Sequence, residues 1–145
     1  MELRALVVDD SRVMRNMVME SLKRTKLADF TFTEATDGAD ALDKFNPDLI
    51  DIIFVDWNMP NMNGIDFVRT IRENKKIDHI PICMVTSEKT PDKIREALER
   101  AGANAYISKP FTVDALQRKL SELLQGMEEK KTKKSSGFFS RLAGN

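Results

Sequence analysis

The chain holds a single cysteine, Cys83, and a single histidine, His79. One thiol cannot close an internal disulfide, and its place in the apolar run Ile80–Val85 reads as a buried structural thiol in a reducing compartment. One imidazole leaves histidine-based catalysis and histidine metal cages almost nothing to work with. No apolar stretch reaches the roughly 20 residues of a membrane span. Met1-Glu2-Leu3-Arg4 runs directly into an apolar run, so no secretory signal is expected. The expectation is a cytoplasmic protein without stable membrane insertion. Net charge is missing too, since 23 Lys and Arg balance 23 Asp and Glu. That zero conceals a split: from Glu128 onward five basic residues stand against two glutamates, a net +3, so residues 1–127 carry −3. An acidic body with a basic tail argues against a DNA-binding core, and no nucleic-acid partner is expected.

What is present is a fivefold alternation of strand and helix signals. The chain has 145 residues, 41% of them apolar, enough for one domain with its own core. Such alternation predicts a parallel sheet with helices on both faces. A first strand over Leu3–Val8 is followed by Ser11, which can cap a helix carrying Val13, Met14, Met17, Val18 and Leu22 at helical spacing. A second strand near Phe30–Glu34 precedes Asp37-Gly38 and a helix with Ala41, Leu42 and Phe45. The third strand, Ile52–Val55, leads through an irregular stretch to a helix from about Ile65 to Glu73. The fourth, Ile80–Val85, is followed by Thr90-Pro91, a cap and N1 proline opening a helix to about Arg100 that Gly102 stops. Asn104–Ile107 forms the fifth strand. Thr112 caps a last helix with Val113, Leu116, Leu120, Leu123 and Met127 inward. Residues 128–145 show little periodicity and read as a basic, disordered tail, and no internal repeat occurs.

Two of the apolar runs end in acids: Leu3–Val8 closes on Asp9-Asp10, and Ile52–Val55 on Asp56. Side by side in a parallel sheet, these strands bring three carboxylates to one rim, where ligands of open α/β sheets bind. A lone strand-end aspartate is ordinarily a solvated turn or a helix cap. Three of them at two strand ends repel one another unless something positive joins them, and oxygen-only ligands suit a hard cation such as Mg²⁺. The fourth strand delivers Thr86 and Ser87 to the same rim, and Lys109-Pro110 follows the fifth. This set meets the demands of phosphoryl transfer onto a carboxylate. Asp56 is the candidate nucleophile, Asp9 and Asp10 the candidate metal holders, and Thr86 and Lys109 the partners for phosphoryl oxygens.

Asp56-Trp57-Asn58-Met59-Pro60-Asn61-Met62, Met84-Val85-Thr86-Ser87-Glu88 and Lys109-Pro110-Phe111-Thr112 carry a further signal. Through them, residues 1–127 resemble the receiver domains of bacterial two-component response regulators, and within that family the single-domain chemotaxis receivers. The resemblance implies a doubly wound, flavodoxin-like α/β fold with five parallel strands in the order 2-1-3-4-5 and five helices. It implies phosphorylation of Asp56 by a histidine kinase. Mg²⁺ would be held by Asp10, Asp56 and the backbone carbonyl of Asn58, with Asp9 supporting it through water. Thr86 and Tyr106 would form the switch, Tyr106 swinging from exposed to buried as Thr86 moves toward the phosphoryl group. Asn58 and Glu88 would tune the access of water, and Trp57 would sit exposed at the pocket mouth. Asn63 departs from the aspartate many receivers carry before the glycine, but it suits the same turn.

A monomeric receiver with no attached output domain implies that the output is a protein contact, on the face formed by helix 4, strand 5 and helix 5. The flagellar motor switch is the implied target and a phosphatase a further partner. The protein is then not an enzyme, beyond assisting its own phosphorylation and dephosphorylation. An alternative within the family is a phosphorelay intermediate that passes phosphate to another histidine protein. An electron carrier on the same fold is disfavoured, because two aspartates after strand 1 would repel a flavin phosphate. The tail remains the second departure. A solvated extension is the favoured reading, against docking on an acidic partner, on anionic lipid or on the domain's own face.

Overall fold

β3 (Ile52–Val55) and β4 (Ile82–Thr86) are buried at every position and contain only Ile, Phe, Val, Cys, Met and Thr, the composition of strands covered on both faces. β1 (Glu2–Val8) joins them, with β2 (Asp29–Ala35) and β5 (Ala105–Ser108) as the edges. All pairings are parallel, in the order β2-β1-β3-β4-β5. The computed structural model describes the backbone of residues 1–142 and the side chains of residues 1–128. Helices α1 (Arg12–Arg24), α2 (Gly38–Lys44), α3 (Gly64–Glu73), α4 (Pro91–Arg95) and α5 (Val113–Leu142) alternate with the strands.

The period of two along the strands divides the core between the faces. Leu6, Val8, Ile53, Val55 and Met84 pack against Phe67, Val68 and Ile71 of α3. Ala5, Val7, Ile52, Phe54, Cys83 and Val85 pack against Val18 and Leu22 of α1 and Leu116, Leu120 and Leu123 of α5. Burial on this scale supplies the main driving force for folding.

The caps read from the sequence at Ser11, Thr90 and Thr112 each accept an N–H of the first turn, and the side chains of Asp37 and Asn63 do the same for α2 and α3. Four details differ. On α1 only Val18 and Leu22 are buried, while Val13 and Met17 are 75% and 39% exposed. Arg15 occupies the inward position instead, with its guanidinium on the Asp9 carbonyl. β4 starts at Ile82 rather than Ile80, since Pro81 has no N–H for the ladder and the Ile80 N–H bonds Ile77 in a 3₁₀ turn. Beyond α4, residues Glu96–Ala101 wind as a π-helix; the Gly102 N–H reaches back to the Ala97 carbonyl, and Gly102 ends the turn at φ +98°.

The fourth difference is at the C-terminus. The boundary expected at residue 127 falls inside α5, whose backbone is helical to Leu142. Met127-Glu128-Glu129-Lys130-Lys131 are good helix formers, and a helix already anchored by Leu116, Leu120 and Leu123 propagates without a new nucleus. Ala143–Asn145, the last of the tail residues, lie outside the described residues. Among the described residues no helix is long and apolar enough to cross a membrane.

Candidate functional site

The strand register builds the rim. Val8 pairs with Val55, and the Asp56 N–H extends the ladder to the Val8 carbonyl at 2.9 Å, so Asp9 and Asp56 leave the sheet as neighbours. On the other side Thr86 pairs with Ser108, and the Lys109 N–H reaches the Thr86 carbonyl at 2.9 Å. Residues 100 positions apart in sequence meet there: Lys109 Nζ lies 2.7 Å from Asp9 Oδ2 and 3.5 Å from Asp56 Oδ2. The Lys109–Pro110 peptide is cis.

One ammonium stands against three acids. Asp9 is nearly buried and has both oxygens engaged, one with Lys109 and one with the Ser11 N–H at 2.9 Å. Asp56 accepts the N–H of Trp57 at 2.7 Å. Burial pushes the Asp56 carboxyl above the ordinary carboxylate range; Lys109 and a hydrogen bond from the Thr86 hydroxyl pull it down, and Asp9 pushes it further up. Asp10 is exposed and has no hydrogen bond or ion pair within the described residues. Oxygens of Asp9, Asp10 and Asp56 all lie within 4.8 Å of one another. Three carboxylates, one of them free, with a single lysine between them, form a donor set suited to a hard divalent cation.

Glu88 connects the flanking residues. Its carboxylate accepts Asn58 Nδ2 at 2.8 Å, its N–H approaches the Thr86 hydroxyl at 3.3 Å, and its carbonyl accepts the Tyr106 hydroxyl. Tyr106, expected to start from an exposed position, is 8% exposed here with its ring inward. Burial, then Glu88 and Asp56, push its phenol up to about 12. Trp57 differs as well: expected at the pocket mouth in contact with solvent, it is 5% exposed and packed in the core beside Ile65 and Phe67. Lys93 of α4 closes over its ring with Nζ 4.7 Å from the centroid. Both aromatics find apolar neighbours and a polar cover in the same place, and position along the chain does not reveal that.

Several residues that hold the site were not singled out from sequence. Arg15 pins the carbonyl of Asp9 at 2.8 Å and is anchored by Glu34 at 3.0 Å. Its spacing of four from Ser11 was the available signal. Asp37 caps α2 and also accepts Asn61 Nδ2 at 2.8 Å, while the Gly38 N–H reaches the Met62 carbonyl at 2.9 Å, tying the loop after Asp56 to α2. Gly64 closes that loop: a Cβ there would stand 1.9 Å from the Asp56 carbonyl oxygen, so no side chain fits.

The geometry can be set beside known proteins. The family profile described as the response regulator receiver domain matches residues 5–121. The chemotaxis protein CheY of Pseudomonas aeruginosa is 38% identical over 126 residues, which cover 85% of this chain and 97% of the relative. CheY-3 of Vibrio cholerae serotype O1 is 38% identical over 123 residues, 85% of this chain and 92% of the relative. The crystal structure of Vibrio cholerae CheY4 at low pH superposes with a TM-score of 0.72 at 32% identity, covering 85% of this chain and 99% of that one.

Proposed function

The chain belongs to the response regulator receiver family, and on that premise we propose that it is a receiver switched by phosphorylation of Asp56. In this reading an oxygen of Asp56 attacks the phosphorus of a phosphorylated histidine kinase. An O–P bond forms as the P–N bond breaks, and the imidazole leaves. Asp10, Asp56 and the Asn58 carbonyl, supported by Asp9, would hold a Mg²⁺ ion, which would supply charge neutralisation for the incoming phosphoryl oxygens. Lys109 already stands between Asp9 and Asp56 and turns toward the new anion, and the Thr86 hydroxyl moves with it.

Thr86 and Tyr106 share Glu88 as a partner, so movement of Thr86 reaches the aromatic ring through one residue. The switch then works by population: phosphorylation stabilises the loop that holds Tyr106 inward and with it one form of the α4–β5–α5 face. Asn58 and Glu88, bonded across the mouth, set the access of water to the phosphoryl group. The relatives named for chemotaxis support the flagellar motor switch as the protein that reads this face, with a phosphatase ending the signal.

The observation that carries the reading is the meeting of Asp9, Asp10, Asp56, Thr86 and Lys109 at one rim. Treatment with acetyl phosphate and Mg²⁺, followed by mass spectrometry, should add one phosphoryl group, mapped to Asp56. Gain at the wild-type rate by Asp56→Asn, or without any divalent metal, refutes the assignment.

A further inference from the structure

α5 enters the fold at the carboxylate rim and descends along the sheet to its opposite pole. Glu122, Leu123, Gly126 and Met127 line a cleft of about 200 Å³ with His79, Pro81 and Asn104, the residues that lead into β4 and β5. Among the described side chains of α5 the last buried one is Leu123. The helix nevertheless runs on to Leu142, so its final four or five turns leave the domain on the side away from Asp9, Asp10 and Asp56.

The sequence of that projecting segment is unlike the rest of the chain. Residues 129–142 hold Lys130, Lys131, Lys133, Lys134 and Arg141 against one acid, Glu129. Phe138, Phe139 and Leu142 fall within five positions, and Phe138 and Leu142 are four apart, one face of a helix. The domain that carries the segment has a net charge of −3.

Three occupants can be weighed. The domain's own acidic rim is electrostatically attractive, but the helix leaves the opposite pole, and α5 would have to break to reach it. A protein groove reads anchors at i, i+3 or i+4 and i+7 over two turns or more, and the apolar residues here span little more than one turn. A lipid surface needs neither length nor register. It needs a preformed helix, a few large apolar residues at the end, and enough basic charge to add to a weak apolar anchor. The segment meets all three.

We propose that residues 129–142 form an interfacial helix that docks the protein reversibly on an anionic bilayer surface. Phe138, Phe139 and Leu142 enter the headgroup boundary, and the lysines face lipid phosphate. The helix lies in the interface and does not span it. Because it leaves the pole opposite the rim, the docked receiver keeps its acidic site turned toward solvent and its phosphodonor. The inference is independent of the phosphorylation chemistry.

Co-sedimentation of the full chain with phosphatidylglycerol–phosphatidylethanolamine vesicles tests it, with pure phosphatidylcholine vesicles as the neutral control. Binding to the anionic vesicles should be at least tenfold tighter than to the neutral ones and should weaken as salt rises. A Phe138→Ser/Phe139→Ser/Leu142→Ser chain should lose at least tenfold, as should a chain with Lys130, Lys131, Lys133 and Lys134 changed to Gln. Both variants should melt with the wild type, since all seven positions lie past Leu123, the last α5 side chain in the described core. No binding to the anionic vesicles overturns the proposal. So does binding that the serine variant keeps in full, or binding equal on the two vesicle types.

Discussion

The two ends of the sheet each hold a partly buried cation, and they treat it in opposite ways. At the rim, Lys109 Nζ sits among carboxylates that outnumber it, near Asp9 and Asp56 with Asp10 unpaired close by. At the other pole, the Arg72 guanidinium meets no carboxylate within hydrogen-bond reach. It donates to the carbonyls of Gly102, Asp78 and Ile80 and to Asn104 Oδ1, at 2.7–3.0 Å. Burial lowers its pKa, with Asp78 opposing, yet a guanidinium stays protonated across the working range. Neutral oxygens arranged around a cation with all three of its nitrogens engaged make a joint: Arg72 ties α3, the turn before β4, the π-helical end of α4 and the start of β5. Excess acid around a cation makes a site that one more positive charge would complete. Saturation marks the structural pole, and imbalance marks the functional one.

Removing the joint should have the largest effect. Arg72→Ala leaves the carbonyls of Gly102 and Ile80 short of a donor and Asn104 Oδ1 with only the Ile82 N–H, at a cost of about 3 kcal/mol. For a domain of this size that lowers Tm by roughly 10 °C. Phosphorylation of the folded variant should be unchanged. A thermal melt beside an acetyl phosphate assay checks both halves, and a stable but inactive Arg72→Ala would erase the contrast between the poles.

Neutralising the rim should act in the other direction. The Asp56 carboxyl is held above its ordinary range, so the folded protein binds that proton more tightly than the unfolded chain. Its ionisation therefore costs stability at neutral pH, and the cost disappears as pH falls through the raised folded value. Asp56→Asn should raise Tm by a few degrees at pH 7, and its advantage over wild type should shrink on acidification. Melts of the two proteins across pH 4–8 read the difference. A variant less stable than wild type at pH 7 would mean the rim is as well compensated as the Arg72 pole.

A smaller effect probes the link from the rim to the output face. Tyr106 is the sole tyrosine, and its phenol is pushed up to about 12 by burial and by Glu88 and Asp56. An absorbance titration should place phenolate formation well above the free value of about 10. A midpoint at the free value would put the ring in solvent.

The acids were legible because runs such as Ile52–Val55 announce buried strands, and the residues just past the end of a parallel strand stand on the ligand-binding rim. Caps at Ser11, Thr90 and Thr112 were legible because the hydroxyl acts within its own turn. The phase of α1 was not: Val13 and Met17 satisfy helical spacing, but Arg15 took the inward position for the sake of the Asp9 carbonyl. Trp57 beside a polar loop reads as exposed until Lys93, 36 residues later, covers it. Arg72 gave no signal, because its partners are mostly backbone oxygens from segments that only the fold brings together. Side chains that act on neighbours in sequence, or that stand just past a strand end, could be read; those that meet across the fold from elsewhere could not.

The contrast between the poles rests on the rim being one cation short. Calorimetric titration with Mg²⁺ of wild type, Asp10→Asn and Arg72→Ala tests that directly. Wild type should show one saturable site, Asp10→Asn should bind at least tenfold more weakly because a free charged ligand is lost, and Arg72→Ala should bind as wild type does. Absence of saturable binding in wild type, or equal affinity in Asp10→Asn, would contradict the assignment of Asp9, Asp10 and Asp56 as a cation-binding rim.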